Sequence, residues 1–408
     1  MAEQASGARR PGTVLLALLL ALAALTGCGT AARPADPALA EVRALLDRHA
    51  AALLARDEAG WLADADPAHR TAARTAFRRL AAVPLAGWAY RVTGLDRTGG
   101  DRLTARVDLG HRVEGYDRGP LTTARTVDLA ARGGRWYVTG DRPAEGAPDL
   151  LWDQGEVTAV RGARSLVLGS GQDRERLTEI ARLADRAVPA AGAVWPESWP
   201  RRVLVLVPAG LDGMGGLLAA DAAAYRGTAA VTTGETTGRA DAPADRVIVN
   251  PEAYGMLGDF GRQLVLTHET VHVATRAHTS AATPVWLSEG FADWTAYRGT
   301  GRTPAEAAPE LRREVRAGNP PAALPEDGDF SFGGDAEAVG RAYESGWLAC
   351  AMIADRWGAD RLTAFYREVG AHPGRSGAVE SALREVLDTD PDRFTADWRS
   401  YLREKLSQ

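Results

Sequence analysis

The sequence predicts an α+β protein with two domains, and three patterns in its 408 residues indicate this class. Apolar residues first recur at helical spacing over residues 38–64. Apolar and polar residues then alternate at Leu103–Leu109 and again at Val127 and Leu129, which is typical of strands buried on one face. Beyond these strands, short apolar runs are followed by long helical patterns. A chain of this length is sufficient for two hydrophobic cores.

The first 28 residues predict an export signal rather than a folded element. Two arginines precede a short apolar run, Val14–Leu25, which is too short for a secure transmembrane helix. The Leu-Thr-Gly-Cys sequence that ends at Cys28 resembles the bacterial lipobox, in which the cysteine is acylated. The resemblance implies an extracytoplasmic protein anchored to the membrane by lipid at Cys28, with residues 29–37 as a tether. A plain secretory signal with an incidental cysteine is the alternative.

Residues 38–148 form the first predicted domain. Its first helix ends before Pro67, a second runs to about Ala82, and the strands end near Tyr137. Helices followed by an antiparallel sheet are similar in order to the cone-shaped NTF2-like α+β fold. The resemblance implies such a cone here, and it leaves open whether the domain binds a ligand, docks to a partner or acts as a spacer.

The second predicted domain covers residues 156–408. A stretch rich in Pro, Gly and acidic residues, Asp141–Asp153, indicates the boundary before it. The pattern predicts a hairpin at Val157–Leu168, a helix around Leu177–Leu183, and buried strands at Val203–Val207 and Val247–Val249. After these strands the chain is predicted to be largely helical, with a long loop at Gly318–Gly340.

An HExxH sequence that begins at His268 carries the most specific chemical signal. On a predicted helix of about 259–276, His268 and His272 lie on one face at i and i+4, so both can reach the same ion. Glu269 follows the first histidine in the chain, so it would lie close to the ion without having to bind it. Two imidazoles on an apolar helix need polar partners, and a divalent metal supplies one to both. The pattern predicts one Zn²⁺ with Glu269 as a general base.

Two residues are candidates for the third ligand. His278 has the spacing of the third histidine in the metzincin pattern. However, Thr275 stands where that pattern has glycine, and a β-branched residue is poorly suited to positive φ. Glu289, farther along the chain, is the stronger candidate because it lies on a second helix.

That second helix is predicted over about 284–297, after an N-cap at Thr283. It would carry Glu289 and Asp293 on one face at i and i+4. Gly290 is costly inside a helix unless a neighbour comes very close, so it predicts a close approach of the two helices there.

Together these residues resemble the gluzincin metallopeptidases, the group that contains thermolysin and aminopeptidase N. The resemblance implies a two-lobed domain, with a small β-sheet and the HExxH helix in one lobe and helices in the other. It also implies one zinc ion held by His268, His272 and Glu289. Asp293 would hold a ligating histidine, which fixes the tautomer of that ring and increases its basicity.

A later segment, Tyr343-Glu344-Ser345-Gly346, resembles the Tyr-Glu-x-Gly segment of aminopeptidase-N-like enzymes. The tyrosine opens a predicted amphipathic helix, and the resemblance implies that its hydroxyl donates a hydrogen bond to an oxyanion. No Gly-x-Met-Glu-Asn sequence, which those enzymes use to hold a substrate amino terminus, occurs upstream. Exopeptidase action therefore does not follow from the resemblance. Thr228–Thr233 is a candidate edge strand for pairing with an extended substrate.

The leading hypothesis is a lipid-anchored zinc peptidase that acts on peptides or proteins. Glu269 would take a proton from a metal-activated water and pass it to the leaving amine, while zinc and Tyr343 stabilise the oxyanion. A non-catalytic lipoprotein with a peptidase-like scaffold and a cell-surface zinc carrier are the alternatives.

Charge and cysteine content exclude some other classes. The net charge of −5 and the pI of about 5.9 give no basic patch, so nucleic acid is not a predicted partner. Beyond Cys28 the one remaining cysteine, Cys350, lies in an apolar helix and is predicted to pack in the core. Nothing in the sequence indicates an oligomeric state.

Overall fold

The computed structural model describes residues 38–234, 241–331 and 335–407. The predicted signal peptide, the predicted lipidation site at Cys28 and the tether lie outside the described residues. Within the described ranges, no helix is both long and apolar enough to cross a membrane. The chain mixes helices with two sheets, which confirms the predicted α+β class.

The N-terminal part places three helices before a four-stranded antiparallel sheet. The elements are α1 (Ala38–Leu54), α2 (Glu58–Ala63), α3 (Arg70–Ala81), β1 (Leu85–Gly99), β2 (Arg102–Val113), β3 (Leu121–Arg132) and β4 (Arg135–Pro143). The strands pair in chain order. The alternation predicted for β2 is present, because every second residue from Leu103 to Val113 is buried. The predicted NTF2-like cone remains a prediction.

The prediction of a single helix over residues 38–64 is wrong, because the chain forms two helices there, α1 and α2. Arg56 takes up a left-handed conformation with φ of 58°. Its guanidinium donates to the carbonyl oxygens of Leu80 and Val83, and these contacts offset the strained backbone. Asp57 then caps the new helix by accepting a hydrogen bond from the Gly60 amide.

A five-stranded mixed sheet follows. Its elements are β5 (Val157–Arg161), β6 (Ser165–Ser170), α4 (Arg174–Val194), β7 (Val203–Val207), α5 (Leu211–Leu218), β8 (Ala230–Thr233) and β9 (Arg246–Val249). The strand order is β5-β6-β7-β9-β8, with β6, β7 and β9 parallel and the outer strands antiparallel to their neighbours. The strand predicted at Thr228–Thr233 is therefore present as β8, at one edge of the sheet.

The remainder of the described chain is helical. It consists of α6 (Pro251–Met256), α7 (Asp259–Thr275), α8 (Val285–Tyr297), α9 (Pro304–Ala307), α10 (Pro309–Arg316), α11 (Ala336–Trp357), α12 (Ala359–Ala371), α13 (Ala378–Leu387) and α14 (Pro391–Leu406). Helix α11 begins at Ala336, so the prediction that Tyr343 opens this helix is wrong, and the tyrosine lies two turns inside it. Cys350 is fully buried in the core, as predicted.

Helices α8 and α11 cross at two glycines. A Cβ atom on Gly290 would lie 2.2 Å from the backbone oxygen of Gly346, and one on Gly346 would lie 2.6 Å from the oxygen of Trp286. Two helix backbones can approach each other this closely only where the residue at the contact has no Cβ atom. The close approach predicted from Gly290 exists, but its partner is α11 rather than the HExxH helix.

The two sheets share buried contacts within one compact unit, Val42–Gln408. Leu109 from β2 packs in the same apolar cluster as Leu168 and Leu204 from the second sheet. The buried guanidinium of Arg246 binds both carboxylate oxygens of Asp117, at 2.7 and 2.9 Å. The predicted domain boundary between residues 148 and 156 remains a prediction.

The variant Gly290→Ala should lower the free energy of unfolding by about 1–3 kcal/mol, because its methyl group would force two backbones apart. Chemical denaturation measures the change. The control is Gly100→Ala, where an added Cβ meets no atom within 4 Å. Equal stability of the two variants would contradict the close crossing.

Candidate metal centre

Helix α7 supplies both histidines of the HExxH sequence on one face. The opposite face, which includes Leu266, Val271 and Ala274, is buried in the core. This burial fixes the rotation of the helix, so His268 and His272 point away from the core. Their Nε2 atoms are 3.0 Å apart. The i, i+4 geometry expected from the sequence is therefore present.

Helix α8 brings a carboxylate to the same point. Oε2 of Glu289 is 3.1 Å from Nε2 of His268, and Oε1 is 3.5 Å from Nε2 of His272. Among the described residues, His268, His272 and Glu289 form the one cluster of three side chains arranged to hold a metal ion. The helix that carries Glu289 has the bounds Val285–Tyr297, close to the predicted 284–297.

The donor set fits zinc. Ligand atoms that share a tetrahedral zinc at ~2.0–2.2 Å stand about 3.3–3.6 Å from one another. The three observed separations, 3.0, 3.1 and 3.5 Å, are close to this spacing. Two imidazole nitrogens that face each other at 3.0 Å need a common cation or a shared proton between them. Nitrogen and carboxylate donors are the ligands of zinc hydrolases.

Asp293 lies behind the first histidine. Its Oδ1 is 2.7 Å from Nδ1 of His268, so the imidazole donates its Nδ1 proton to the carboxylate. Nε2 of the same ring is directed at Glu289 and His272. The contact has the partners that the family resemblance implies, and the role of Asp293 in holding a ligating histidine stays a prediction.

The charges of the cluster shift its protonation equilibria. Burial by itself would lower the pKa of His268, but the charge and hydrogen bond of Asp293, together with Glu289, raise it well above the usual value. Burial would likewise raise the pKa of Glu289, yet the charges and hydrogen bonds of His272 and His268 hold it below the usual range. Glu289 therefore stays ionised, the form in which a carboxylate could bind a metal.

Glu269 is buried beside the cluster, with an exposed fraction of 7%. Its Oε2 accepts a hydrogen bond of 2.6 Å from the hydroxyl of Thr232 on the edge strand β8. The sequence placed Thr232 in a candidate edge strand but gave no sign of this contact, because the two residues are 37 positions apart. The hydroxyl occupies one carboxylate oxygen, and the Glu269 side chain also lines the cleft.

Tyr343 reaches the same region from α11. Its ring lies 6.5 Å from the ring of His268 and 5.2 Å from that of Phe330, between centroids. Burial, and then the charges of Glu289, Asp293 and Glu269, raise the pKa of Tyr343 far above its usual value. The hydroxyl therefore keeps its proton and can donate it in a hydrogen bond.

These side chains line a cleft of about 800 Å³. Its walls come from β8, α7, α8, α11 and the short 3₁₀ helix Asp327–Phe330. The volume lies in the range of sites that enclose ligands of several residues or rings. Apolar side chains such as Val231, Leu264 and Phe330 stand beside the ionisable cluster.

His278 does not join the cluster. After Thr275 the chain enters a short 3₁₀ helix, Arg276–His278, and the imidazole packs edge to face on Trp195 at 5.5 Å. No glycine is present to reverse the chain toward the metal ligands. The alternative third ligand is thereby separated from the other two histidines.

No protein-family model and no curated protein matches this chain. Solved structures that are similar to it include an M1 zinc metallopeptidase from Deinococcus radiodurans, at 15% identity and a TM-score of 0.34, over 68% of this chain and 59% of that one. The native LTA4 hydrolase of yeast is 11% identical, with a TM-score of 0.37, over 78% of this chain and 61% of its own.

The chain thus spans about 60% of the length of these two enzymes. A protein of unknown function from Mycobacterium tuberculosis is similar over 28% of this chain and 73% of its own, at 18% identity and a TM-score of 0.22. Because these TM-scores lie below 0.5, the chemistry of the site has to be judged from its own geometry.

The variant His268→Ala should lose stoichiometric zinc, because it removes one of three donors and leaves Glu289 without its closest partner. Metal analysis by mass spectrometry after equilibration with zinc measures this, with one ion per chain expected for the wild type. The control is His278→Ala, which should keep its zinc. Full zinc content in His268→Ala would refute the ligand role, and so would an equal loss in both variants.

Proposed function

We propose that this protein is a zinc-dependent peptidase of the gluzincin type. One observation supports the proposal above all others. Two imidazole nitrogens and the carboxylate of Glu289 converge at metal-ligand spacing, and a second carboxylate, Glu269, is held beside them at the wall of a cleft. A ligand cluster alone would suit storage of metal, whereas the added carboxylate suits hydrolysis.

In this proposal His268, His272 and Glu289 hold the zinc ion. When bound there, zinc supplies Lewis acidity, which lowers the pKa of a water molecule toward ~7 and polarises a carbonyl group. Asp293 keeps the proton of His268 on Nδ1, so that Nε2 remains a donor to the metal.

Glu269 is the general base. The hydroxyl of Thr232 binds Oε2, so Oε1 is the atom that accepts the proton of the attacking water. The same oxygen then delivers this proton to the leaving amine. Thr232 is a positioning residue, because it restrains the carboxylate without touching the substrate carbonyl.

Tyr343 completes the site by donating a hydrogen bond to the oxyanion that develops on the carbonyl oxygen. Its raised pKa keeps the hydroxyl protonated throughout the neutral range. A donor fixed in a partly buried cleft stabilises the charge where it appears, in the transition state rather than the ground state.

The substrate in this proposal is a peptide or protein in an extended conformation. Among the described residues, strand β8 pairs with β9 on one side only, so its other edge is the one that could receive an extended peptide. Because Val231 and Thr232 line the cleft, a peptide on this edge would pass the metal centre.

The variant Glu269→Gln should keep its zinc and lose peptide hydrolysis by at least about 10²-fold, because an amide cannot accept the proton. Cleavage of a peptide library, followed by mass spectrometry, measures the effect. The control is Glu368→Gln, on the exposed surface of α12. Surviving hydrolysis in Glu269→Gln would reject this base, and a zinc-bound wild type without any cleavage would favour the scaffold alternative.

We also propose that the protein is exported and attached to the membrane by lipid at Cys28, on the basis of the lipobox-like sequence. The expected result in a lipoprotein-processing host is incorporation of labelled palmitate into the wild type and none into Cys28→Ser. The control is Cys350→Ser, which should be labelled like the wild type. Equal labelling of wild type and Cys28→Ser would contradict the anchor.

A further inference from the structure

The zinc cleft is charged unevenly along helix α7. On the face that carries the metal ligands, Leu264 precedes His268 by four residues, and Arg276 follows His272 by four. Leu264 and Arg276 both line the cleft. The cleft therefore has an aliphatic side chain before the two histidines and a guanidinium after them.

Arg276 is the one lysine or arginine among the described residues that line this cleft. The buried carboxylate of Asp245 holds it, with both oxygens 3.1 and 3.2 Å from Nε. A guanidinium has five N–H donors, of which Nε carries one. The two terminal nitrogens lie outside this contact, and the side chain keeps an exposed fraction of 22%. A second carboxylate can therefore bind the outer part of the planar fork.

Each of the four carboxylates in the described lining already has a partner within the protein. They are Glu269 with Thr232, Glu289 with the two histidines, Asp293 with His268, and Asp327 with Arg375. A positively charged substrate group would have to compete with these partners. A negatively charged group meets Arg276 instead.

The charge stays positive beyond Arg276. A smaller pocket of about 220 Å³ borders the same side chain, and its described lining also carries Arg118 and Arg202, against one carboxylate, Asp245. A surface on which one sign of charge prevails attracts groups of the opposite sign. An acidic substrate group is therefore drawn to this end of the cleft.

We propose that the cleft selects peptides with a carboxylate within about three residues of the scissile bond, and that Arg276 determines this specificity. The inference rests on the proposed peptidase function. Arg276 lies about 9 Å along the helix axis from the midpoint of the two histidines, at a rise of ~1.5 Å per residue. An extended peptide covers this distance in about three residues. Because Arg276 lies beyond His272 only, the carboxylate falls on the same side of the scissile bond in every good substrate.

The test compares peptides that differ only by Glu or Gln at one position near the cleaved bond, with both ends blocked. For the zinc-loaded wild type, kcat/KM should be about tenfold higher with Glu at one position, because the guanidinium binds a charged acceptor more strongly than an amide. A second series with a free C-terminus shows whether a terminal carboxylate serves in place of a side chain. Equal rates at every position, with no gain from the free end, would overturn the proposal.

The variant Arg276→Gln should bring the ratio of the Glu and Gln rates to about one. The ratio is taken within one preparation, so it does not depend on how much of the variant folds. The matched control is Arg262→Gln, on α7 outside both linings, where the arginine is 26% exposed and is likewise paired with a carboxylate, Glu179. This control should keep the preference. A preference that survives in Arg276→Gln, or disappears in both variants, would contradict the assignment.

Calorimetry separates this inference from the peptidase proposal, because binding needs no turnover. Zinc-loaded Glu269→Gln should bind the preferred Glu peptide about tenfold more tightly than its Gln partner. Adding Arg276→Gln to this variant should make the two affinities equal. A wild type that cleaves no peptide would reject the peptidase proposal, whereas the difference in affinity would still support the role of Arg276. Without cleavage, equal affinity or no binding would overturn that role as well.

Discussion

The crossing of α8 and α11 at Gly290 and Gly346 is the contact on which the metal centre depends. Glu289 immediately precedes the first glycine, and Tyr343 lies three residues before the second. Because the two backbones touch there, the carboxylate and the hydroxyl come from neighbouring turns of adjacent helices. A side chain at either glycine would separate the helices and move Glu289 relative to the histidines on α7. The packing of α11 against α8 thereby sets where Glu289 lies relative to α7.

Repulsion between carboxylates makes this cluster of side chains energetically unfavourable unless it holds a cation. Three carboxylates, those of Glu269, Glu289 and Asp293, line the same partly buried cleft, and their like charges repel one another there. His268 is placed between two of these carboxylates and offsets part of that repulsion.

The sequence predicted the elements whose signals are local. The HExxH helix was expected over about 259–276 and spans Asp259–Thr275, and the burial alternation of β2 follows the predicted pattern. Both depend on side-chain periodicity within a few turns. The break at Arg56 was missed, because a left-handed arginine is tolerated only through hydrogen bonds to Leu80 and Val83, more than twenty residues away.

The pairing of His268 with His272 was determined by the sequence itself, since a helix places i and i+4 on one face whatever surrounds it. The sequence favoured Glu289 over His278 without deciding between them, and the packing of α8 against α7 places Glu289 in the cluster. The contact between Thr232 and Glu269 likewise exists only because strand β8 lies beside helix α7. Periodicity fixes which residues share a face, but only the packing of distant elements decides which faces meet.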